Sequence, residues 1–203
     1  MTPTKFYKAL NICGILKPEF RFLELGTSNG NAYNSLEFEE KYTVDIIRPE
    51  STIGNDKSFE MSTDTFFESI DVGKFDLIFI DADHDAPQVL KDYNSTVKIW
   101  NKGGIIVLHD CYPPNEEYCE SRFCSDSYKI LLGLIDLGFN VFYTKEDFGL
   151  TVVFNPEEIR VRDINFNLSY QDFINKANEN RMNYMNYSDL LYSIIKKIKK
   201  NEG

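Results

Sequence analysis

"FLELGTSNGNAY", residues 22–33, sets an apolar run against a polar turn bounded by two glycines. The run reads as a strand ending at Leu25, after which the chain turns through Gly26 and Gly30 into a helix beginning near Asn31. A strand feeding a glycine loop and then a helix opens a parallel α/β unit. It also brings bare backbone and a helix N-terminus close to a ligand, which favours an anionic group such as a carboxylate. The spacing is Gly-x-x-x-Gly, unlike the Gly-x-Gly-x-x-Gly of dinucleotide folds.

Working outward, "FRFLEL" (20–25), "YTVDII" (42–47), "FDLIFID" (75–81) and "GGIIVLHD" (103–110) are apolar on consecutive positions. That pattern is expected of strands covered on both faces, as in a parallel sheet. Helices are expected between them, over 31–40, 63–71 and 85–100. In the last, Asp85 is placed to cap the N-terminus and Pro87 sits in the first turn, where its missing N–H costs little. Strands alternating with helices imply right-handed crossovers and a doubly wound α/β sheet.

Beyond Asp110 the pattern changes. "CYPPNEEYCESRFCSDS" (111–127) is a polar stretch too long for a simple connection and reads as a lid or substrate loop. A helix over 128–138 follows, then "FNVFYT" and "LTVVFN" around "KEDFG", an antiparallel hairpin. From residue 168 the chain is helical by composition, so the expected organisation is one domain over 1–167 with a helical tail, 168–203, packed on it or extending it.

Composition bounds the function. With 203 residues, 42% of them apolar, the chain can bury one substantial core. A net charge of −10 repels a phosphate backbone, so nucleic acid is not an expected partner. No apolar run reaches membrane-spanning length, and the first sixteen residues lack the pattern of a signal peptide, which points to the cytoplasm. Cys13, Cys111, Cys119 and Cys124 are sparse and irregularly spaced, as reduced thiols are. The sequons at Asn94, Asn167 and Asn186 then carry no meaning.

Asp45 lies twenty-one residues after Glu24, at the end of the second strand, where an acidic side chain can take both hydroxyls of a ribose. Taken in this order, the residues resemble the class I S-adenosylmethionine-dependent methyltransferases over positions 20–155, final hairpin included. The resemblance implies a mostly parallel, Rossmann-like seven-stranded sheet with a C-terminal antiparallel hairpin, and S-adenosylmethionine as cofactor. It places Glu24, Gly26, Thr27, Ser28 and Gly30 of "ELGTSNG" at the methionine end, Asp45 at the ribose, and Ser62 and Thr63 of "MSTD" at the adenine.

"IDADHD" (80–85) and "GGIIVLHD" are similar to stretches of the metal-dependent O-methyltransferases, the group of catechol, caffeoyl-CoA and antibiotic-pathway sugar enzymes. Asp81 takes the position of a metal-binding aspartate that also borders the cofactor. The family's Asp-Asn ligand pair is replaced here by His109 and Asp110, so the implied metal set is Asp81, His109 and Asp110, with Mg²⁺ or Mn²⁺ expected and one nitrogen admitting Fe²⁺ or Zn²⁺. The physical case stands beside the names. Adjacent strands ending in these groups converge on the crevice where α/β sheets bind ligands, and clustered carboxylates repel unless a cation neutralises them.

A hydroxyl is a weak nucleophile at neutral pH, so methyl transfer to oxygen needs a polarising metal, a base, or both. His84 stands where the similar enzymes carry a basic lysine and is the candidate general base. The expected acceptor is a small molecule or sugar, because "YQDFINKANENRMNYMN" (170–186) looks like tails of glycan-associated members; a homodimer stays open. Other readings stay open too: a metal-free N- or C-methyltransferase, and a non-catalytic S-adenosylmethionine-binding module. A zinc site of His109 with Cys111, Cys119 and Cys124 lacks any Cys-x-x-Cys pair. "YPPN" (112–115) is superficially similar to an amino-methyltransferase motif but follows the wrong strand. "IIKKIKK" (194–200) fits a solvated helix end or an acidic membrane surface.

Overall fold

The computed structural model describes residues 5–179 and 183–200. In chain order the elements are α1 (Lys5–Leu16), β1 (Arg21–Leu25), α2 (Asn31–Ser35), β2 (Glu40–Asp45), β3 (Ser58–Glu60), α3 (Thr63–Ser69), β4 (Phe75–Ile80) and α4 (Ala86–Lys98). There follow β5 (Trp100–Leu108), α5 (Tyr128–Asp136), β6 (Val141–Tyr143), β7 (Thr151–Phe154), α6 (Tyr170–Glu179) and α7 (Tyr187–Lys200). The seven strands form one sheet in the order β3-β2-β1-β4-β5-β7-β6. The first five are parallel, while β7 runs antiparallel to both β5 and β6. This is the expected doubly wound, Rossmann-like sheet ending in a hairpin.

Continuous apolar runs form strands here because both faces are covered. Ile78 and Ile80 of β4 join Leu90 and Tyr93 of α4 and Leu131 of α5 in one buried layer. Leu77 and Phe79 of the same strand point the other way, into a layer with Leu10 of α1 and Leu190, Ile194 and Ile198 of α7. Burying each such side chain contributes about 1.5–3 kcal/mol. The α7 residues show that this helix turns its apolar stripe to the sheet and α1, so the stripe is not available to a membrane surface. Among the described residues no helix is long and apolar enough to cross a membrane.

Several boundaries differ from the sequence expectations. Helix α1 and strand β3 were not anticipated. The helix expected over 31–40 ends at Ser35, because Leu36 and Phe38 leave it to enter the core, where Phe38 stacks on Phe22 at 5.0 Å. Strand β2 stops at Asp45 rather than at 47, since the Asp45 Oδ1 accepts the Ile47 N–H at 3.0 Å and bends the chain, leaving Ile46 and Ile47 each 71% exposed. Asp85 occupies the N-cap position of α4 without capping it; its Oδ1 accepts the Ser125 hydroxyl, and Asp126 reaches across to take the Ala86 N–H at 2.6 Å. Ser62, by contrast, caps α3 by accepting the Thr65 N–H. The tail forms α6 and α7, and residues 180–182 and 201–203 of it lie outside the described residues.

Candidate active site

A cavity of about 800 Å³ opens where β1, β2, β4 and β5 end. Its floor is the loop after β1. Gly26 has φ +82, and a β-carbon there would lie 2.0 Å from the Asp81 carbonyl oxygen, so glycine is required by the closeness of β1 and β4. Asp45 organises the same loop: its Oδ2 accepts the N–H groups of Thr27 at 2.7 Å and Ser28 at 2.8 Å. A carboxylate has about four acceptor positions, so Asp45 keeps capacity for a ligand hydroxyl while holding the loop.

Of the residues expected at the cofactor, Gly26, Ser28, Asp45, Ser62, Thr63 and Asp81 line this cavity. Glu24, Thr27 and Gly30 stand away from it. Glu24 is buried behind the loop, and burial, with Asp81 and Asp45 adding repulsion against the pull of Lys41, raises its carboxyl well above the usual range. The Thr27 hydroxyl turns back to hydrogen-bond Thr43, and Gly30 packs against Ser51 and Asn34. Gln88 was not foreseen. It lines the cavity from the first turn of α4, and its Nε2 lies within hydrogen-bond reach of Thr63, Asp64 and Asp92. A polar residue one turn after "DADHD" was the available signal.

The ends of β4 and β5 bring Asp81, His84, His109 and Asp110 together. His109 Nδ1 is 3.1 Å from Asp81 Oδ1 and 3.2 Å from Asp110 Oδ1. His84 Nε2 is 3.5 Å from Asp81 Oδ1 and 3.3 Å from Asp110 Oδ2. Among the described residues, Asp81, His84 and Asp110 form a group close enough to hold one metal ion. Sequence reasoning put His109 in that group and His84 outside it. Asp110 sits at φ +57, a left-handed conformation unusual for a side-chain-bearing residue, and its buried Oδ1 lies against the His109 ring.

Burial pushes both imidazoles down, but the facing carboxylates outweigh it and raise His84 and His109 to about 9. Burial pushes Asp81 up, and the two histidines overcome this to hold it at about 2. Asp110 is pushed up by burial and by Asp81, against the histidines. Without a metal the cluster is therefore two imidazolium ions facing two carboxyl groups. His84 then carries a proton at neutral pH and is no base until it loses it.

The far wall comes from 111–127 and the hairpin turn. Cys111 and Tyr112 are buried, and Tyr112 packs on Tyr143 at 5.7 Å and Phe173 at 5.0 Å, so these two belong to the core and not to a lid. Residues 114–117 and 120–123 are exposed, and Ser121 and Arg122 line the cavity. Phe148 lines it too, from a turn in which Asp147, Phe148 and Gly149 all have positive φ (56, 61 and 95). The Tyr118 ring packs on both Phe123, at 4.9 Å, and Phe148, at 5.3 Å. Tyr112 N–H donates to the Phe148 carbonyl at 2.7 Å, tying the two segments together. Burial pushes the Cys111 thiol up to about 12 and the Cys119 thiol to about 11, the Cys111 Sγ donates to the His109 carbonyl, and among the described residues no cysteine belongs to a group close enough to hold a metal ion.

Residues 48–111 match the family model of a methyltransferase domain. That match covers less than half of the chain, and the fold itself follows from the strand order above together with the solved structures the chain resembles. The chain has the class I S-adenosylmethionine-dependent methyltransferase fold. It is similar to a putative caffeoyl-CoA O-methyltransferase from Staphylococcus aureus, at 14% identity and a TM-score of 0.55 over 75% of this chain and 83% of that one. The S-adenosylhomocysteine-bound Podospora anserina methyltransferase PaMTH1 is 15% identical, TM-score 0.58, over 77% and 80%. The N-methyltransferase NodS from Bradyrhizobium japonicum shares the methyltransferase fold at 15% identity, TM-score 0.51, over 75% and 96%. No curated protein sequence matches the chain.

Proposed function

We propose that this methyltransferase is a cytoplasmic O-methyltransferase that moves the methyl group of S-adenosylmethionine to a hydroxyl of a small molecule or sugar with the help of a divalent metal. The observation carrying this reading is that Asp81 and Asp110, at the ends of adjacent strands, face the same cavity as the loop Gly26–Ser28. The donor set, two carboxylates and an imidazole close enough to share one ion, fits a hard or borderline cation. When bound there, such an ion acidifies and orients the acceptor hydroxyl.

The chain's own residues do the rest. Asp45 takes the ribose with its remaining lone pairs, and Ser62 and Thr63, held by the cap of α3 and by Gln88, border the adenine. His109 holds Asp81 in place through its Nδ1. Phe148 offers a flat face to the acceptor, with Ser121 and Arg122 lining the same cavity. Bringing oxygen and sulfonium carbon into line this way removes the entropic cost of a bimolecular encounter.

A metal-free transfer is the second reading, and the self-neutralising cluster of two imidazolium and two carboxyl groups favours it. Product formation with hydroxylated and amine acceptors, each with and without chelator, separates the two. Hydroxyl transfer that stops with chelator and returns with Mn²⁺ supports the first; chelator-insensitive transfer to an amine supports the second.

A further inference from the structure

His84 is held in a way that fits a metal ligand better than a free base. Its Nδ1 meets the Phe123 carbonyl, which can only accept, so Nδ1 carries a hydrogen. In the neutral ring Nε2 then has the lone pair, and Nε2 is the atom facing Asp81 Oδ1 and Asp110 Oδ2, at 3.5 Å and 3.3 Å. Histidines that bind metals almost always donate their other ring N–H to a carbonyl or carboxylate, which fixes both tautomer and ring orientation. Donors at right angles around one ion with bonds of about 2.1 Å sit roughly 3 Å apart, so these separations need only a small contraction.

His109 is placed differently. Its side chain is 9% exposed against 22% for His84, its ring packs on Phe79 with centroids 6.0 Å apart, and its Nδ1 already engages Asp81. From there it steers a ligand.

Resting on the metal-assisted function proposed above, we infer that His84, through Nε2, completes a divalent-cation site with Asp81 and Asp110, while His109 positions Asp81. An imidazole in the set favours a first-row transition metal such as Mn²⁺ over Mg²⁺, which binds oxygen donors almost alone. Because the Phe123 carbonyl lies in the loop carrying Ser121 and Arg122, this hydrogen bond also joins the cation to the acceptor wall.

The test uses the full chain loaded with Mn²⁺, and its readout is the metal's own nitrogen coupling. Calorimetry measures Mn²⁺ affinity, and electron–nuclear double resonance reads coordinated nitrogen with histidine labelled by ¹⁵N at either the δ1 or the ε2 position. Expected are Mn²⁺ binding that survives a tenfold excess of Mg²⁺, a coordinated ε2 nitrogen, and its loss in His84→Gln but not in His109→Gln. His84→Gln should weaken Mn²⁺ at least tenfold. The labelled wild-type protein answers the question even if a variant fails to fold. A coordinated δ1 nitrogen lost in His109→Gln overturns the assignment and leaves the metal-assisted function standing, as does Mn²⁺ bound through oxygen alone. No Mn²⁺ binding by the wild-type protein overturns both.

Discussion

Replacing Gly26 by alanine probes the contact between the loop after β1 and the end of β4. The left-handed backbone at φ +82 by itself costs alanine about 1 kcal/mol relative to glycine. Steric overlap adds to that. The new β-carbon would lie 2.0 Å from the Asp81 carbonyl oxygen and 2.5 Å from the Ala82 Cα, where real contacts do not fall below 3.0 Å. Both neighbours are main chain in a packed region and cannot swing aside, and overpacking of this kind costs roughly 1–3 kcal/mol. The total, about 2–4 kcal/mol, corresponds to a fall in Tm of roughly 5–15 °C for a chain of this size. Gly54→Ala is the matched control: φ is +86, nothing lies within 4 Å, and only the conformational cost applies, about 1 kcal/mol or 2–4 °C. Differential scanning calorimetry of both variants measures the difference. S-adenosylhomocysteine titration should show weaker binding by the Gly26 variant alone, because Asp81 is displaced with its carbonyl. Equal Tm losses in the two variants would refute the argument that the β1–β4 contact, rather than backbone conformation, fixes this glycine.

Three further outcomes are expected. Metal-free protein should lose stability as pH rises from about 6.5 to about 9, because His84 and His109 hold protons to about 9 when folded and release them near 6.5 when unfolded. The ceiling is roughly 3 kcal/mol per imidazole, and urea unfolding across that window would contradict the reasoning if the midpoint stayed level. Asp45→Ala removes the acceptor of the Thr27, Ser28 and Ile47 N–H groups and should cost about 1.5–3 kcal/mol along with at least tenfold in S-adenosylhomocysteine affinity; unchanged calorimetric affinity would count against the ribose assignment. At Phe148, with φ +61, glycine should be more stable than alanine by about 1 kcal/mol while both lose acceptor turnover; equal chemical denaturation curves would rule out stored strain there.

What the sequence made legible follows from how local each signal is. The runs 77–80 and 105–108 are buried on both faces, so their hydrophobicity is continuous and their strand character needs no tertiary information, and in 22–25 only the buried Glu24 interrupts the same pattern. Strand β3 is three residues long with one of them exposed, and no run of that length stands out. Ile46 and Ile47 extended the apparent second strand because their apolar character matches it, while the hydrogen bond that ends the strand belongs to Asp45. In the site, convergence of Asp81, His84, His109 and Asp110 was readable from strand ends. Which ring nitrogen faces which carboxylate was not, since that depends on side-chain torsions and on a carbonyl thirty-nine residues away, at Phe123. Tyr112 looked like a lid aromatic in a polar stretch, yet the rings that bury it, Tyr143 and Phe173, come from elements far along the chain.

The bond from Tyr112 to the Phe148 carbonyl has a mechanical consequence. With the Cys111 N–H also reaching the Gly149 carbonyl at 3.4 Å, the β5–β7 pairing runs on past the sheet, and a β-carbon at Gly149 would lie 2.4 Å from the Tyr112 backbone nitrogen. The root of the loop and the hairpin turn are thereby welded. Phe148 is a fixed anvil, and the span between Pro113 and Cys124 is fastened to it and to the site by side chains instead, Tyr118 on Phe148 and His84 on the Phe123 carbonyl.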